Sequence, residues 1–258
     1  MAGEGGSGGT ADACAGALNI ADPDLEDALR RQVGKETQPI YATDFASVTE
    51  LNFLSLNESG PCQPIANCIV PDPPVRDGWV SSLLGLECLP ELQEIELDAW
   101  YVRDFSPLAA ITQLTTLNIY FSKAAHFSPL PQLRELRVWN SDSDLSGLSG
   151  MHNLNSFTGH FEDLSGKKAL APLSSLNALR NLVLTRSQIE DVSGLEALSK
   201  LVTVDLSDNH ISDLSPLLQN TALGADTTID VSNNPISCDH PSVTALIARK
   251  VNVQPCMP

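Results

Sequence analysis

The sequence predicts an α/β solenoid, in which short parallel strands stack and turns return the chain from each strand to the next. The first observation is a repeat. The segment LRNLVLTRSQIEDVSGL begins at Leu179, and a matching segment, LVTVDLSDNHISDLSPL, begins 22 residues later at Leu201. The second observation is the pattern within each copy, L-x-x-L-x-L, followed by a small polar residue and an aliphatic residue. A period of this length with this pattern indicates a leucine-rich repeat.

The spacing of the apolar residues predicts how each copy packs. Leu182 and Leu184 point to one side of an extended strand, while Val183 points to the other. One such strand cannot bury its apolar side alone, so the copies must stack and close each other's core. Asn209 occupies the small polar position, where its amide can satisfy backbone groups that a buried turn leaves free.

The same pattern extends over most of the chain with small changes in coil length. We therefore expect a right-handed leucine-rich repeat solenoid with about eight short parallel strands on its concave face. The ending DLSPL carries a proline, which favours 3₁₀ turns or loops on the convex side. The predicted strand segments begin at Val48, Leu92, Leu114, Leu133, Leu154, Leu179, Leu201 and Asp226.

Helical caps are predicted at both ends. The first helix has Asp22 as its N-cap and ends at Gly34. The last helix follows Pro241 and runs to about Lys250, after which Val251–Val253 adds an edge segment. The predicted domain organisation is a Gly/Ser-rich tether at 1–20 and one repeat domain at 21–258, which divides into an N-cap at 21–47, repeats at 48–237 with an insertion at 55–78, and a C-cap at 238–258.

Two stretches carry a resemblance to a known family. The run DPDLEDALRRQVGK…IYATDFASVTELNF, at 22–53, resembles the N-terminal cap of bacterial internalin-like leucine-rich repeat proteins. The end of the chain, from VSNNPISC to Cys256, is similar to the C-terminal cap of bacterial repeat proteins, where two cysteines brace the last coil. The resemblance implies this repeat fold and protein binding on the concave face.

Composition restricts the partners and the compartment. The formal net charge is −17, which argues against nucleic acid or an anionic membrane surface as a partner. The sequence contains no apolar run of transmembrane length. The tether and the six cysteines predict an exported monomer, secreted or anchored to a bacterial envelope as a lipoprotein, whose signal segment is absent from this sequence.

The cysteines favour structural disulfides, although reactive or metal-binding thiols are the alternative. Cys238 and Cys256 both lie in the C-cap, so we expect them to pair. Cys62 and Cys68 could close a small loop, or either could reach Cys88 or Cys14.

No enzyme motif or metal motif is evident, so we expect no catalytic residues, no metal and no cofactor. The five histidines are scattered and form no H-E-x-x-H sequence. His160 with Glu162 and Asp163 comes nearest to an acid/base cluster, and we interpret it as a surface histidine beside incidental acids.

Aromatic residues replace the usual turn chemistry in the middle coils. Their small polar position holds Trp100, Ser122, Ser141 and Glu162 instead of asparagine. Tyr120, Trp139 and His160 share one template position, so they should be direct neighbours in the stack. Alternatively, some rings turn inward and fill the space left by the missing asparagines and by Gly159, above all Phe121 and Phe161. The candidate ligand-binding residues are Trp100, Tyr101, Tyr120, Phe121, Trp139, His160 and Phe161.

These observations favour a non-catalytic extracellular recognition module that binds a protein or peptide on its concave face. Exposed aromatic residues beside acids, namely Glu96, Asp98 and Asp205, would also suit a carbohydrate or a basic peptide. The rival hypothesis is a structural cell-envelope repeat protein without a discrete ligand.

Overall fold

The computed structural model describes residues 14–53, 80–99, 101–122, 129–141, 144–166 and 168–256. Nine short strands form one parallel sheet, in which the strand order along the sheet is the order along the chain. Connections between parallel neighbours are right-handed in nearly all proteins, in agreement with the expected right-handed solenoid. The strands are β1 Glu50–Phe53, β2 Glu94–Asp98, β3 Thr116–Tyr120, β4 Glu135–Ser141, β5 Ser156–Phe161, β6 Asn181–Leu184, β7 Thr203–Asp205, β8 Thr228–Asp230 and β9 Asn252–Gln254.

The repeated leucines form the core, as the pattern predicted. Leu182 in β6 pairs in register with Phe157 in β5 and with Val204 in β7, and all three are buried. Because every strand places an apolar residue at this position, each coil packs on the next along the whole stack. The predicted leucine-rich repeat solenoid is therefore confirmed, and β9, the edge segment after the C-terminal helix, extends the eight repeat strands to nine.

Short 3₁₀ turns return the chain from one strand to the next. Three of them, Ser106–Ala110, Ala171–Ser175 and Ser215–Gln219, carry proline in the first turn, which fixes φ where the turn begins. Aspartates two residues before a serine close the preceding bends by accepting the serine backbone N–H, at Asp104, Asp144, Asp163, Asp191 and Asp213.

The asparagine position works as expected in the C-terminal coils. Asn209 is buried, and its Nδ2 donates to the carbonyl groups of Leu184 and Leu206 at 2.7 and 2.9 Å. Its Oδ1 accepts the backbone N–H groups of Ser187 and Ile189. One side chain thus satisfies four backbone groups in two adjacent coils.

The middle coils depart from the predicted register at one point. Ser122 and Ser141 are buried at the small polar position, but Glu162 is exposed. Phe161 pairs opposite Ser141 because β4 bulges at Asn140, whose φ is 49°. The extra residue in the bulge shifts the alignment by one position beyond Trp139.

Asp22 fixes the N-terminal cap to the stack. The first helix, α1, spans Pro23–Val33, and Asp22 caps it by accepting the backbone N–H of Asp24 and Leu25. The other carboxylate oxygen accepts hydrogen bonds from the backbone and hydroxyl of Ser81, at 2.7 and 2.6 Å. Gly34 ends the helix with φ 68°, a left-handed conformation that favours glycine.

The expected tether is too long by several residues, because the chain from Cys14 to Ile20 packs on the cap. Cys14 forms a disulfide with Cys88, a pairing that the sequence left open. Leu18 donates its backbone N–H to Ile40 at 2.7 Å, and both Leu18 and Ile20 are buried. Two buried apolar residues, a backbone hydrogen bond and a disulfide therefore hold a segment whose composition resembles a linker. Cys62, Cys68 and the predicted insertion at 55–78 lie outside the described residues.

The C-terminal cap follows the prediction. The second helix, α2, spans Pro241–Ala248, and Val243 and Leu246 pack into the core. The predicted disulfide between Cys238 and Cys256 is present. Within the described residues, neither helix has the length and apolar run that crossing a membrane requires.

Candidate functional site

The outer face of the sheet, opposite the core, is the face that this repeat fold makes concave. Strand residues that lie between core positions point to it. In β2, for example, Ile95 and Leu97 are buried while Glu96 is half-exposed. We call this surface the concave face, and its side chains form rows that run across the strands.

One row contains the aromatic residues that the sequence aligned. Asp98, Tyr120, Trp139 and His160 are successive register partners across β2, β3, β4 and β5. Parallel strands lie about 4.8 Å apart, so these side chains are direct neighbours. The predicted adjacency of Tyr120, Trp139 and His160 is confirmed, and all three side chains remain partly accessible.

Tyr120 is tied to an acid on the preceding strand. Its hydroxyl donates to Oε1 of Glu96 at 3.1 Å. Burial, together with this hydrogen bond to a carboxylate, raises the pKa of Tyr120 to about 12. The phenol therefore stays neutral, with its ring edge fixed toward β2.

His160 presents a neutral ring at the end of the row. Its Nδ1 lies 2.8 Å from Oδ1 of Asn140, the residue of the bulge. Burial, and then the positive charge of Arg186, lower the pKa of His160. The imidazole is uncharged at neutral pH, so it extends the flat surface of the row rather than adding charge.

The other predicted site residues divide into three groups. Phe161 is a correction: it is 1% exposed, and its ring turns inward to the space that Gly159 leaves, at 6.2 Å from the ring of Phe157. Phe161 is therefore core packing rather than part of a binding surface. Tyr101 and Phe121 are partly exposed in the turns after β2 and β3, outside the strand register. Trp100 lies outside the described residues.

A network of acids and amides lies in the rows next to the aromatic residues. Glu96 accepts a hydrogen bond from Asn52 at 2.8 Å, in addition to the one from Tyr120. Glu94 accepts a hydrogen bond from Nδ2 of Asn118 at 3.1 Å. Arg137 forms an ion pair with Glu135 on its own strand. The part of the concave face formed by β1 to β4 consequently presents mostly carboxylate oxygens.

Asn118 is the residue that sequence analysis missed. It lies at a concave position in β3 between the core residues Leu117 and Ile119, yet only 5% of it is exposed. The sequence shows a polar residue at the centre of this strand. It does not show that the residue is buried, because side chains from the neighbouring strands cause the burial.

The remaining polar clusters offer weaker sites. His160 contacts Asn140, while the carboxylate of Asp163 accepts the backbone N–H of Ser165. Among the described residues, no three His, Cys, Asp or Glu side chains come together as a metal site. A groove between the last coils includes Asp191 and Asp213, but these carboxylates already accept hydrogen bonds from backbone turns.

Comparison with known proteins places this architecture among bacterial repeat proteins. No family model matches the chain, and no curated protein matches it. Internalin C2 from Listeria monocytogenes has 22% identical residues and a TM-score of 0.62, over 90% of this chain and 91% of that one. Internalin inlF from the same bacterium has 26% identity and a TM-score of 0.60, over 91% of this chain and 64% of its own.

A third solved structure, a Listeria monocytogenes internalin-like protein, has 14% identity and a TM-score of 0.56 over 83% of this chain and 62% of its own. At these identities the shared property is the fold. The internalin-like resemblance that the two caps indicated in the sequence is thus confirmed as an internalin-like leucine-rich repeat architecture with a disulfide-braced C-cap.

Proposed function

We propose that the protein is a non-catalytic recognition module that binds a protein or peptide on the concave face. The observation that carries the proposal is the row of Tyr120, Trp139 and His160, three neighbouring rings that remain partly accessible beside Asp98. Partly exposed aromatic residues are enriched at binding surfaces, because one rigid side chain contributes a large contact area.

Charge and disulfides support an extracellular partner. The net charge of −17 disfavours a phosphate backbone and favours a neutral or cationic ligand. The disulfides Cys14–Cys88 and Cys238–Cys256 are typical of an oxidising compartment, so we place the module at the cell surface or in secreted form, as a monomer. The fold neighbours, which are internalins, are compatible with this assignment.

The experiment is a selection of random peptides displayed on phage against the immobilised protein, with a glycan array as the parallel arm for a carbohydrate ligand. Peptides bound by the row should lose about thirtyfold or more in affinity with Trp139→Ala or Tyr120→Ala, which corresponds to roughly 2 kcal/mol or more for a hot-spot aromatic residue. The melting temperature of both variants should stay within a few degrees of that of the original protein.

Tyr41→Ala is the matched control, because Tyr41 is a partly exposed aromatic residue on the N-terminal cap, away from the row. It should leave affinity unchanged. A large fall in stability for both row variants would show that the rings are packing residues. The absence of any ligand sensitive to the row, among peptides and glycans alike, would favour the structural envelope protein.

A further inference from the structure

Asn118 carries a hydrogen-bond acceptor that nothing in the described part of the chain satisfies. Its Nδ2 donates to Glu94, but its Oδ1 is buried and has no partner among the described residues. A buried acceptor without a donor lowers the stability of a folded protein, and such groups in native structures call for an explanation, for example a ligand. Oδ1 diverges from Nδ2 at the same carbon, so it faces away from Glu94.

The surroundings of this oxygen define what could satisfy it. Glu94 and Glu96 lie in β2 on one side, and Glu135 lies in β4 on the other. Arg137 is the register partner of Asn118, but it pairs with Glu135 on its own strand. The acceptors at this point of the concave face therefore exceed the donors, and a complementary group must bring N–H donors and positive charge.

Flat rings border the same point. Tyr120 and Trp139 follow Asn118 and Arg137 by two residues along β3 and β4, so they project from the same face in the next row. A planar cation can stack on such rings while its edge donates hydrogen bonds. Acceptors and rings together suit a guanidinium group better than an ammonium group, because guanidinium offers five donors in one plane and ammonium offers three on a point charge.

We propose that the concave face between β2 and β4 binds an arginine side chain of a protein partner, with Oδ1 of Asn118 accepting one guanidinium N–H and Glu94 and Glu96 supplying the opposite charge. The proposal rests on the recognition function proposed above and names the group that the concave face recognises. Arg137 is the internal cation beside the site, and its charge opposes the entry of a second cation. Because Oδ1 of Asn118 is buried, neighbouring side chains must shift before the incoming guanidinium can reach it.

The test is a titration of isotope-labelled protein by NMR with three small probes at constant ionic strength. Methylguanidinium carries both charge and donors, N-methylurea carries donors without charge, and tetramethylammonium carries charge without donors. We expect saturable shifts of the side-chain amide of Asn118 and of the backbone amides of β2–β4 with methylguanidinium, at an affinity several-fold above that of the other two probes. Equal affinity for methylguanidinium and N-methylurea would overturn the proposal, as would tighter binding of tetramethylammonium than of methylguanidinium, which would show that charge without hydrogen-bond donors is sufficient.

Four variants sharpen the result. Asn118→Leu should bring the affinity for methylguanidinium down to that for tetramethylammonium with little change in the melting temperature, because removing the unsatisfied oxygen offsets the loss of the hydrogen bond to Glu94. Asn118→Asp keeps an acceptor and adds negative charge, so it should keep binding, but the loss of the donor to Glu94 should lower its melting temperature. Arg137→Gln removes the internal cation and should raise affinity. Asp205→Asn, in the same row on β7, is the control and should change nothing. Unchanged methylguanidinium binding by Asn118→Leu would sink the assignment.

The outcome separates this site from the general function. Selected peptides that are lost with Trp139→Ala but bind Asn118→Leu normally would leave the recognition function intact and overturn the arginine site. Methylguanidinium binding that depends on Asn118, in a protein that selects no peptide or glycan at the row, would support the site and count against the proposed function.

Discussion

At the scale of single residues, Gly159 and Phe161 form a pair whose sizes compensate. Gly159 holds a core position where its register partners, Val138 and Leu184, carry large apolar side chains. A Cβ at Gly159 would overlap the ring of Phe161 and approach Leu184 Cδ2 to 2.9 Å. The ring of Phe161 thus replaces the missing side chain of its own strand. Phe161, which the sequence placed among the candidate binding residues, therefore packs in the core.

This pairing predicts strong coupling between the two positions. Phe161→Ala should lower the free energy of unfolding by about 3–5 kcal/mol through the cavity it leaves. Gly159→Ala should cost about 1–3 kcal/mol, because the added methyl group displaces the ring. In the double variant the methyl group no longer meets a ring, so the loss should be smaller than the sum. Urea unfolding measures all three, and strict additivity would contradict the pairing.

At this scale the sequence predicted the alignment of the site residues, but it did not predict the burial of Asn118 and Phe161. Strand position and register were readable from the spacing, so Tyr120, Trp139 and His160 were aligned correctly. The sequence named Phe121 and Phe161 as the rings that could turn inward, but which of the two does so was not readable, because it depends on the space left by Gly159 and on the bulge at Asn140. The burial of Asn118 was equally hidden, since side chains of adjacent strands create it.

At the scale of elements, Asp22 joins the first helix to the stack. Burial acts to raise the pKa of its carboxyl group, but hydrogen bonds from Ser81, Leu25 and Ser82 outweigh it, so the pKa lies below its ordinary value of 3.8. A carboxylate whose pKa is lower in the folded state stabilises the protein above the ordinary value. That contribution is lost as the pH falls from about 3.8 through the folded pKa.

Asp22→Asn should therefore destabilise the cap in a pH-dependent way. An amide can still accept one helix N–H, but it cannot replace the second oxygen, and we expect a loss of about 1–3 kcal/mol at neutral pH. The difference from the original protein should shrink as the pH falls below 4. Asp27→Asn on the exposed face of α1 is the control, with an expected change within about 0.5 kcal/mol. Chemical unfolding at several pH values measures both, and a constant difference would exclude this role.

In the N-terminal cap, the ends of α1 were predictable from the sequence, but the packing of the segment before it was not. Capping residues such as Asp22 and Gly34 are local signals, so α1 was predicted with its correct ends. Leu18 and Ile20 stand in a run rich in Gly and Ala, which concealed their packing, and the Cys14–Cys88 bond joins positions that no local pattern connects.

At the scale of the whole molecule, the nine strands share one core without a break between coils. Each coil is stabilised by its neighbours, so cutting the stack exposes two apolar ends that no cap covers. We predict that fragments ending or starting near Ala178, between β5 and β6, each lose most of their secondary structure. Circular dichroism of the two fragments measures this loss. Two fragments with native-like spectra and sharp thermal transitions would disprove a single cooperative domain.

The Cys14–Cys88 disulfide makes the N-terminal end of the molecule a closed covalent ring, because the two residues lie 74 positions apart in the chain. A protease that cuts the backbone once anywhere between 15 and 87 opens this ring but releases no piece. On a non-reducing gel the nicked protein should run as one band, and after reduction as two. A single backbone cut at this end therefore does not separate the protein into two pieces while the disulfide is intact. The α1 cap remains attached to the coils that carry the concave face.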